Sequence, residues 1–203
     1  MTVPFRIGLN RSILVAAAAL ALLASGGLQA ERVDDRETAR SVRRALERLP
    51  YYGVFDFLQF GVERGTVTLT GYAYTGTLRQ SAERAAKRVS GVDEVANRVE
   101  LLPASLNDDR IRRDTFLRIY TDSFLSRYAS GGPHSVAYEA YEFGRWPGRQ
   151  PFGVYPMHII VKGGRITLLG EVDSASDRQL AEFRAREVNG TFGVTNSLNV
   201  VEE

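Results

Sequence analysis

The chain repeats itself at a spacing of ninety-nine residues, and that repeat limits its fold more than any other feature. Residues 65–101 slide onto 164–200 without a gap, with thirteen identities in thirty-seven positions; average amino-acid usage would give roughly two or three by chance. Gly65, Thr68, Leu69 and Gly71 recur as Gly164, Thr167, Leu168 and Gly170, and Val89, Gly91, Val95 and Asn97 as Val188, Gly190, Val194 and Asn196. A fixed period of this kind means two copies of one supersecondary unit.

The first thirty residues stand apart from the repeat. Arg6 and Arg11 precede an unbroken apolar run, Ile13 to Ala24, and a small-residue stretch ending at Ala30. This is the pattern of a secretory signal peptide, residues 1–30, with cleavage expected after Ala30. The twelve-residue run is short for a bilayer span, which needs about 20 apolar residues. The chain has no cysteine, hence neither disulfides nor a lipid-modified N-terminal Cys. The formal charge of +2 comes wholly from Arg6 and Arg11. An exported, formally neutral remainder argues against nucleic acid as a partner, because nucleic-acid affinity rests on phosphate neutralisation.

The periodicities predict helix, strand, strand, helix, strand in each copy. In the first, a helix over Asp35–Leu49 places Ala39, Val42, Ala45, Leu46 and Leu49 on one stripe and five arginines elsewhere, and Pro50 ends it. Strands follow over Val54–Glu63 and Thr66–Tyr74 around a Gly65 turn, then a helix over Leu78–Val89 capped by Thr75 or Thr77, then a strand over Glu94–Leu101. In the second copy the expected elements are Asp109–Arg127, capped by Asn107 or Asp108, then Val154–Lys162, Arg165–Val172, Ala175–Val188 and Gly193–Val201. The expected fold class is therefore α+β: tandem αββαβ modules, each a three-stranded mixed sheet with two helices on one face. The modules span 31–102 and 108–203, joined by a linker at 103–107, and the second carries an insertion at about 128–152.

The run Gly-x-Val/Ile-Thr-Leu-x-Gly, an Ala-rich helix ending Val-x-Gly, and Val-x-Asn-x-Val/Leu together resemble the BON domain, named for bacterial osmotically inducible and nodulation proteins. The resemblance implies an envelope-facing module, commonly paired and non-enzymatic, that associates with phospholipid or other envelope components. It also implies a soluble periplasmic protein of the osmotically inducible type, contributing to envelope integrity or stress tolerance. Thr191-Phe192-Gly193 departs from the family pattern kept at Val92.

The shared glycines and asparagines belong to architecture: Gly71 and Gly170 are expected to let a helix approach the sheet, and Asn97 and Asn196 to bond loop backbone near the helix-to-strand turn. Alternation leaves Phe57, Gln59, Thr66, Thr68, Thr70, Tyr72 and Tyr74 on the open sheet face of the first module, and His158, Ile160, Thr167, Leu169 and Glu171 on that of the second. Those side chains either bind a partner or pack module on module. The insertion carries Tyr138, Tyr141, Phe143 and Trp146 beside Arg145 and Arg149, a set suited to a lipid headgroup region or to burial on the sheet. Tyr138, Tyr141, Phe143, Arg145, Trp146, Arg149, Tyr72 and Tyr74 are accordingly the candidate lipid- or partner-binding residues. The expected partner is an anionic phospholipid surface, with a chaperone-like or scaffold role toward envelope proteins as the rival. No cofactor, metal or catalytic residue is expected; His134, Glu139 and Glu142 match no zinc spacing.

Overall fold

The computed structural model describes residues 35–131, 135–136 and 150–201. The expected leader and residues 137–149 lie outside these. Helix α1, described over 35–47, buries Val42 and Leu46, and Arg36, Arg40, Arg43, Arg44 and the following Arg48 are exposed. Strands β1 (Phe57–Glu63) and β2 (Thr66–Ala73) form an antiparallel hairpin. Its two-residue turn has positive φ at Arg64 and Gly65, the mirror-image geometry that matches strand twist. Helix α2 (Gly76–Lys87), capped by the Thr75 hydroxyl, crosses over to β3 (Glu94–Asn97) and β4 (Glu100–Leu101), both parallel to β2.

The second module repeats this order with α3 (Leu106–Tyr120), β5 (Met157–Lys162), β6 (Arg165–Val172), α4 (Ala175–Arg186) and β7 (Gly193–Val200), its sheet ordered β5-β6-β7. Several boundaries differ from expectation: β5 begins at Met157 rather than Val154, and α4 ends at Arg186 rather than Val188. Ser105, not Asn107 or Asp108, caps α3, so the helix begins inside the expected linker. It also stops at Tyr120, and a separate 3-10 turn, Leu125–Tyr128, completes the expected span.

The repeated residues explain themselves once the sheets are in place. Asn97 donates to the Arg79 carbonyl (3.1 Å) and to Glu83 (3.1 Å) in the middle of α2, and accepts from Val99 N–H (3.2 Å). Asn196 makes the same three bonds with Arg178, Glu182 and Leu198. Each asparagine thus pins its strand to a helix, and Arg79 and Glu83 are themselves among the identities. Gly71 and Gly170 correct their expected role. Their φ values are +105° and +111°, and a Cβ would run into the carbonyl of Phe57 or Pro156 on the neighbouring strand. The hairpin backbone, not a helix, excludes a side chain there.

The main departure lies between α1 and β1. Val54–Asp56 do not extend β1 but cross to the second module. Val54 N–H donates to Pro151 O (3.2 Å), Val54 O accepts from Ile159 N–H on the outer edge of β5 (2.8 Å), and Gly53 bridges Phe152. Val54 and Phe55, both 0% exposed, belong to the hydrophobic core of the second module, where Phe55 meets Phe116 edge-on at 6.4 Å. The end of the insertion supports the crossing: the Gln150 side chain accepts from Phe55 N–H (3.1 Å) and donates to the Asp56 carboxylate. The modules are interlocked rather than strung on a linker.

Candidate functional site

Three regions bring chemistry-bearing side chains together. The first is the joint. His158, on the expected open face of β5, is buried between Tyr52 and Phe57, with ring centroids 5.5 Å from each. Ile160 beside it is buried, and Lys162 at the end of the same face pairs with Glu100 of β4. The two outer sheet faces therefore pack on each other here. Asp56 is fully buried and accepts N–H bonds from Gly53 (3.0 Å) and Tyr74 (2.7 Å). Burial raises its pKa from 3.8 to about 6, against the lowering effect of those bonds and of Arg112. Burial lowers that of His158 from 6.5 to about 4, and its Nδ1 has no hydrogen-bond partner. Tyr52 is pushed up to about 12, again chiefly by desolvation. Arg112, 0% exposed, bridges Asp109 (2.5 Å) and the Val161 carbonyl (2.6 Å).

The second region is the hairpin end of the second module. With Ser105 acting as cap, the Asp108 carboxylate is free to accept from Gly163 (2.9 Å) and Gly164 (2.8 Å), tying the start of α3 to the β5–β6 turn. Leu106 stands out from that helix start at 85% exposure. Phe192, 73% exposed, lies against Gly164 from the other side, its N–H donating to Gly164 O (2.8 Å). Arg110 reaches the Asn189 carbonyl at the same end (3.1 Å), and exposed Arg165 follows the turn. Across the ninety-nine-residue spacing, Glu63, Asp93 and Glu94 of the first module become Lys162, Phe192 and Gly193, and Thr66 becomes Arg165. One tip is acidic, while the other presents two bare apolar side chains beside arginine.

The third region is a groove of about 700 Å³ between α1 and β1. Ala39, Leu46, Tyr52, Leu58, Phe60 and Val62 line it, and Asp35, Arg36, Arg43, Glu47 and Glu171 set its rim. Among the described residues no cluster of His, Cys, Asp or Glu could hold a metal ion, and no helix is long and apolar enough to cross a membrane.

A family profile for the BON domain matches residues 34–103 and 151–202. The chain belongs to the BON domain family. That family is known for phospholipid and envelope association and is generally non-enzymatic. The first region spans the first module and the second runs from β5 to β7 of the second module, without α3; together they make a BON pair. The pair is also similar to solved structures of CdsD, a structural protein of the type III secretion system of Chlamydia trachomatis. One match has 11% identity, covers 82% of this chain and 94% of that one, and has a TM-score of 0.27. Another, to the C-terminal domain of CdsD, has 10% identity, covers 80% and 96%, and has a TM-score of 0.25. No curated protein matches the sequence.

Of the candidate residues named from the sequence, Tyr138, Tyr141, Phe143, Arg145, Trp146 and Arg149 lie outside the described residues, as do His134, Glu139 and Glu142. Tyr74 sits in the joint between the BON modules: its hydroxyl donates to Asp109 (3.1 Å) and its ring lies 5.0 Å under the Arg112 guanidinium. Tyr72 is half-buried, in register between Phe57 and Glu100, the residues that meet His158 and Lys162. The sequence marked Phe192 only as a departure from the family pattern, and it marked neither Leu106 nor the α1–β1 groove. The tip was recoverable from the alignment that revealed the repeat, by weighing the positions where the BON copies differ in charge.

Proposed function

We propose that this protein is an exported, non-enzymatic envelope protein that binds anionic phospholipid reversibly through the hairpin end of its second BON module. The observation that supports this is the exposure of Leu106 and Phe192 beside Arg110 and Arg165, where the first module has Asp93 in place of Phe192 and Thr66 in place of Arg165. Exposed apolar side chains rimmed by cations favour an interface whose interior is apolar and whose surface is anionic. Inserting a Leu and a Phe contributes about 1.5–3 kcal/mol each and an arginine near the headgroups about 1 kcal/mol. That sum suits peripheral, salt-sensitive attachment. The aromatic and arginine residues Tyr138 to Arg149 form a second contact in this proposal, and the periplasm is the proposed compartment.

Co-sedimentation with phosphatidylglycerol-containing and with phosphatidylcholine vesicles at low salt tests the reading. Binding is expected to the anionic vesicles only, and to fall at least tenfold in a Leu106→Ser/Phe192→Ser variant. No binding to anionic vesicles, or unchanged binding by the variant, refutes the tip as the lipid site.

A further inference from the structure

The segment that crosses between modules has a twin. Tyr52-Gly53-Val54-Phe55 and Phe152-Gly153-Val154-Tyr155 share one pattern, aromatic-Gly-Val-aromatic. They meet antiparallel at the joint, where Gly53 bridges Phe152 and Gly153 N–H donates to Tyr52 O (3.3 Å). Their placements differ. Val54 and Phe55 are fully buried in the second module, whereas Val154 is 86% exposed and Tyr155 packs in its own module against Phe116 and Tyr120. The second module receives a segment; among the described residues the first receives none in return.

The edges of the two sheets show what that exchange accomplishes. On β5 three outward-facing backbone groups are engaged: Met157 O accepts from the Tyr120 hydroxyl (2.6 Å), Ile159 N–H donates to Val54 O (2.8 Å) and Val161 O accepts from Arg112 (2.6 Å). Met157, Ile159 and Val161 are at most 1% exposed. Ninety-nine residues earlier, their counterparts Leu58, Phe60 and Val62 are only half-buried and line the groove. Leu58 N–H reaches the Tyr52 hydroxyl at 3.4 Å. Among the described residues nothing engages the outward backbone groups of Phe60 or Val62.

We propose that the α1–β1 groove is an acceptor site for an extended segment of a partner polypeptide carrying an aromatic anchor, bound as Val54-Phe55 is bound in the second module. The strand edge supplies N–H and C=O groups that another backbone satisfies, and alternate side chains enter the space under the helix. A volume of about 700 Å³ lies within the range of specific binding clefts. The rim argues against anionic lipid here, since Asp35, Glu47 and Glu171 outnumber Arg36 and Arg43. An acyl chain also offers nothing to the edge amides. Tyr52 of the joint and Glu171 of β6 both line the groove, so an occupant lies against both modules.

The test uses a fluorescein-labelled peptide of residues 51–57, titrated with the protein and followed by anisotropy, together with amide chemical shifts on the labelled protein. Saturable binding is expected, with shifts at Leu58, Phe60 and Val62. Affinity is expected to fall at least tenfold for Ala39→Trp, which fills the groove from α1, and for Val62→Pro, which removes an edge N–H at a position where an edge strand tolerates proline. A peptide bearing Phe55→Ser is expected to lose binding to the same extent. Four results overturn the proposal: no saturation at millimolar peptide, binding unchanged in both variants, shifts confined to the second module, or displacement of the peptide by phosphatidylglycerol vesicles.

Discussion

Two buried titratable groups at the joint oppose each other, and separating them is the sharpest test of how the modules are held. Asp56 has its pKa raised from 3.8 to about 6, so its contribution to stability is complete below pH 3.8 and is lost as pH rises through about 6. His158 has its pKa lowered from 6.5 to about 4, so its contribution is complete above pH 6.5 and is lost as pH falls through about 4. At 1.36 kcal/mol per pH unit each displacement corresponds to about 3 kcal/mol, with opposite slopes over nearly the same window. The wild-type protein is therefore expected to show a flat profile there, within about 1 kcal/mol on this arithmetic. His158→Phe keeps a ring against Tyr52 and Phe57 and removes the rising slope; its stability is expected to fall by about 3 kcal/mol from pH 4 to 6. Asp56→Asn is expected to do the reverse, gaining about 3 kcal/mol from pH 4 to 6.5. Urea denaturation followed by far-UV circular dichroism at half-unit pH steps measures all three proteins. Surface carboxylates such as Glu83 and Glu182 titrate alike in each, so only differences between the profiles count. Parallel profiles, or slopes of the wrong sign, refute the assignment of both groups to a desolvated joint.

Further predictions concern packing and strain. Phe55→Ala removes an aromatic ring from the core of the second module and is expected to cost about 3–5 kcal/mol by chemical denaturation; a loss below about 1 kcal/mol contradicts the interlock. Gly170→Ala places a side chain at φ +111° against the Pro156 carbonyl and is expected to lower stability by about 1–3 kcal/mol. Gly61→Ala is the matched control, because nothing lies within 4 Å of its added methyl group; thermal unfolding of the pair is the measurement.

Alternation and 3.6-residue periodicity were enough to read both αββαβ modules, the Gly65 turn and the first helix with its Val42 and Leu46 stripe, because each signal is contained within a few neighbouring residues. The aligned copies also marked Asn97, Asn196, Gly71 and Gly170 as structural, although the obstacle at the glycines is a neighbouring strand and not a helix. Periodicity reports which face of an element is buried and is silent about what buries it. His158 and Ile160 therefore read as an open face, and only the packed modules show Tyr52 and Phe57 over that histidine. Val54 to Asp56 continue the apolar pattern of β1, yet they gain more by crossing. Their partners lie 95 positions away in the chain at Gln150 and farther still at Pro151 and at Ile159 on β5. The amino-acid sequence by itself determined two copies of one BON module and their internal order. The tertiary structure alone decided that one copy lends a segment to the other and, among the described residues, keeps a groove beside its own edge strand, because that exchange depends on contacts between residues far apart in sequence.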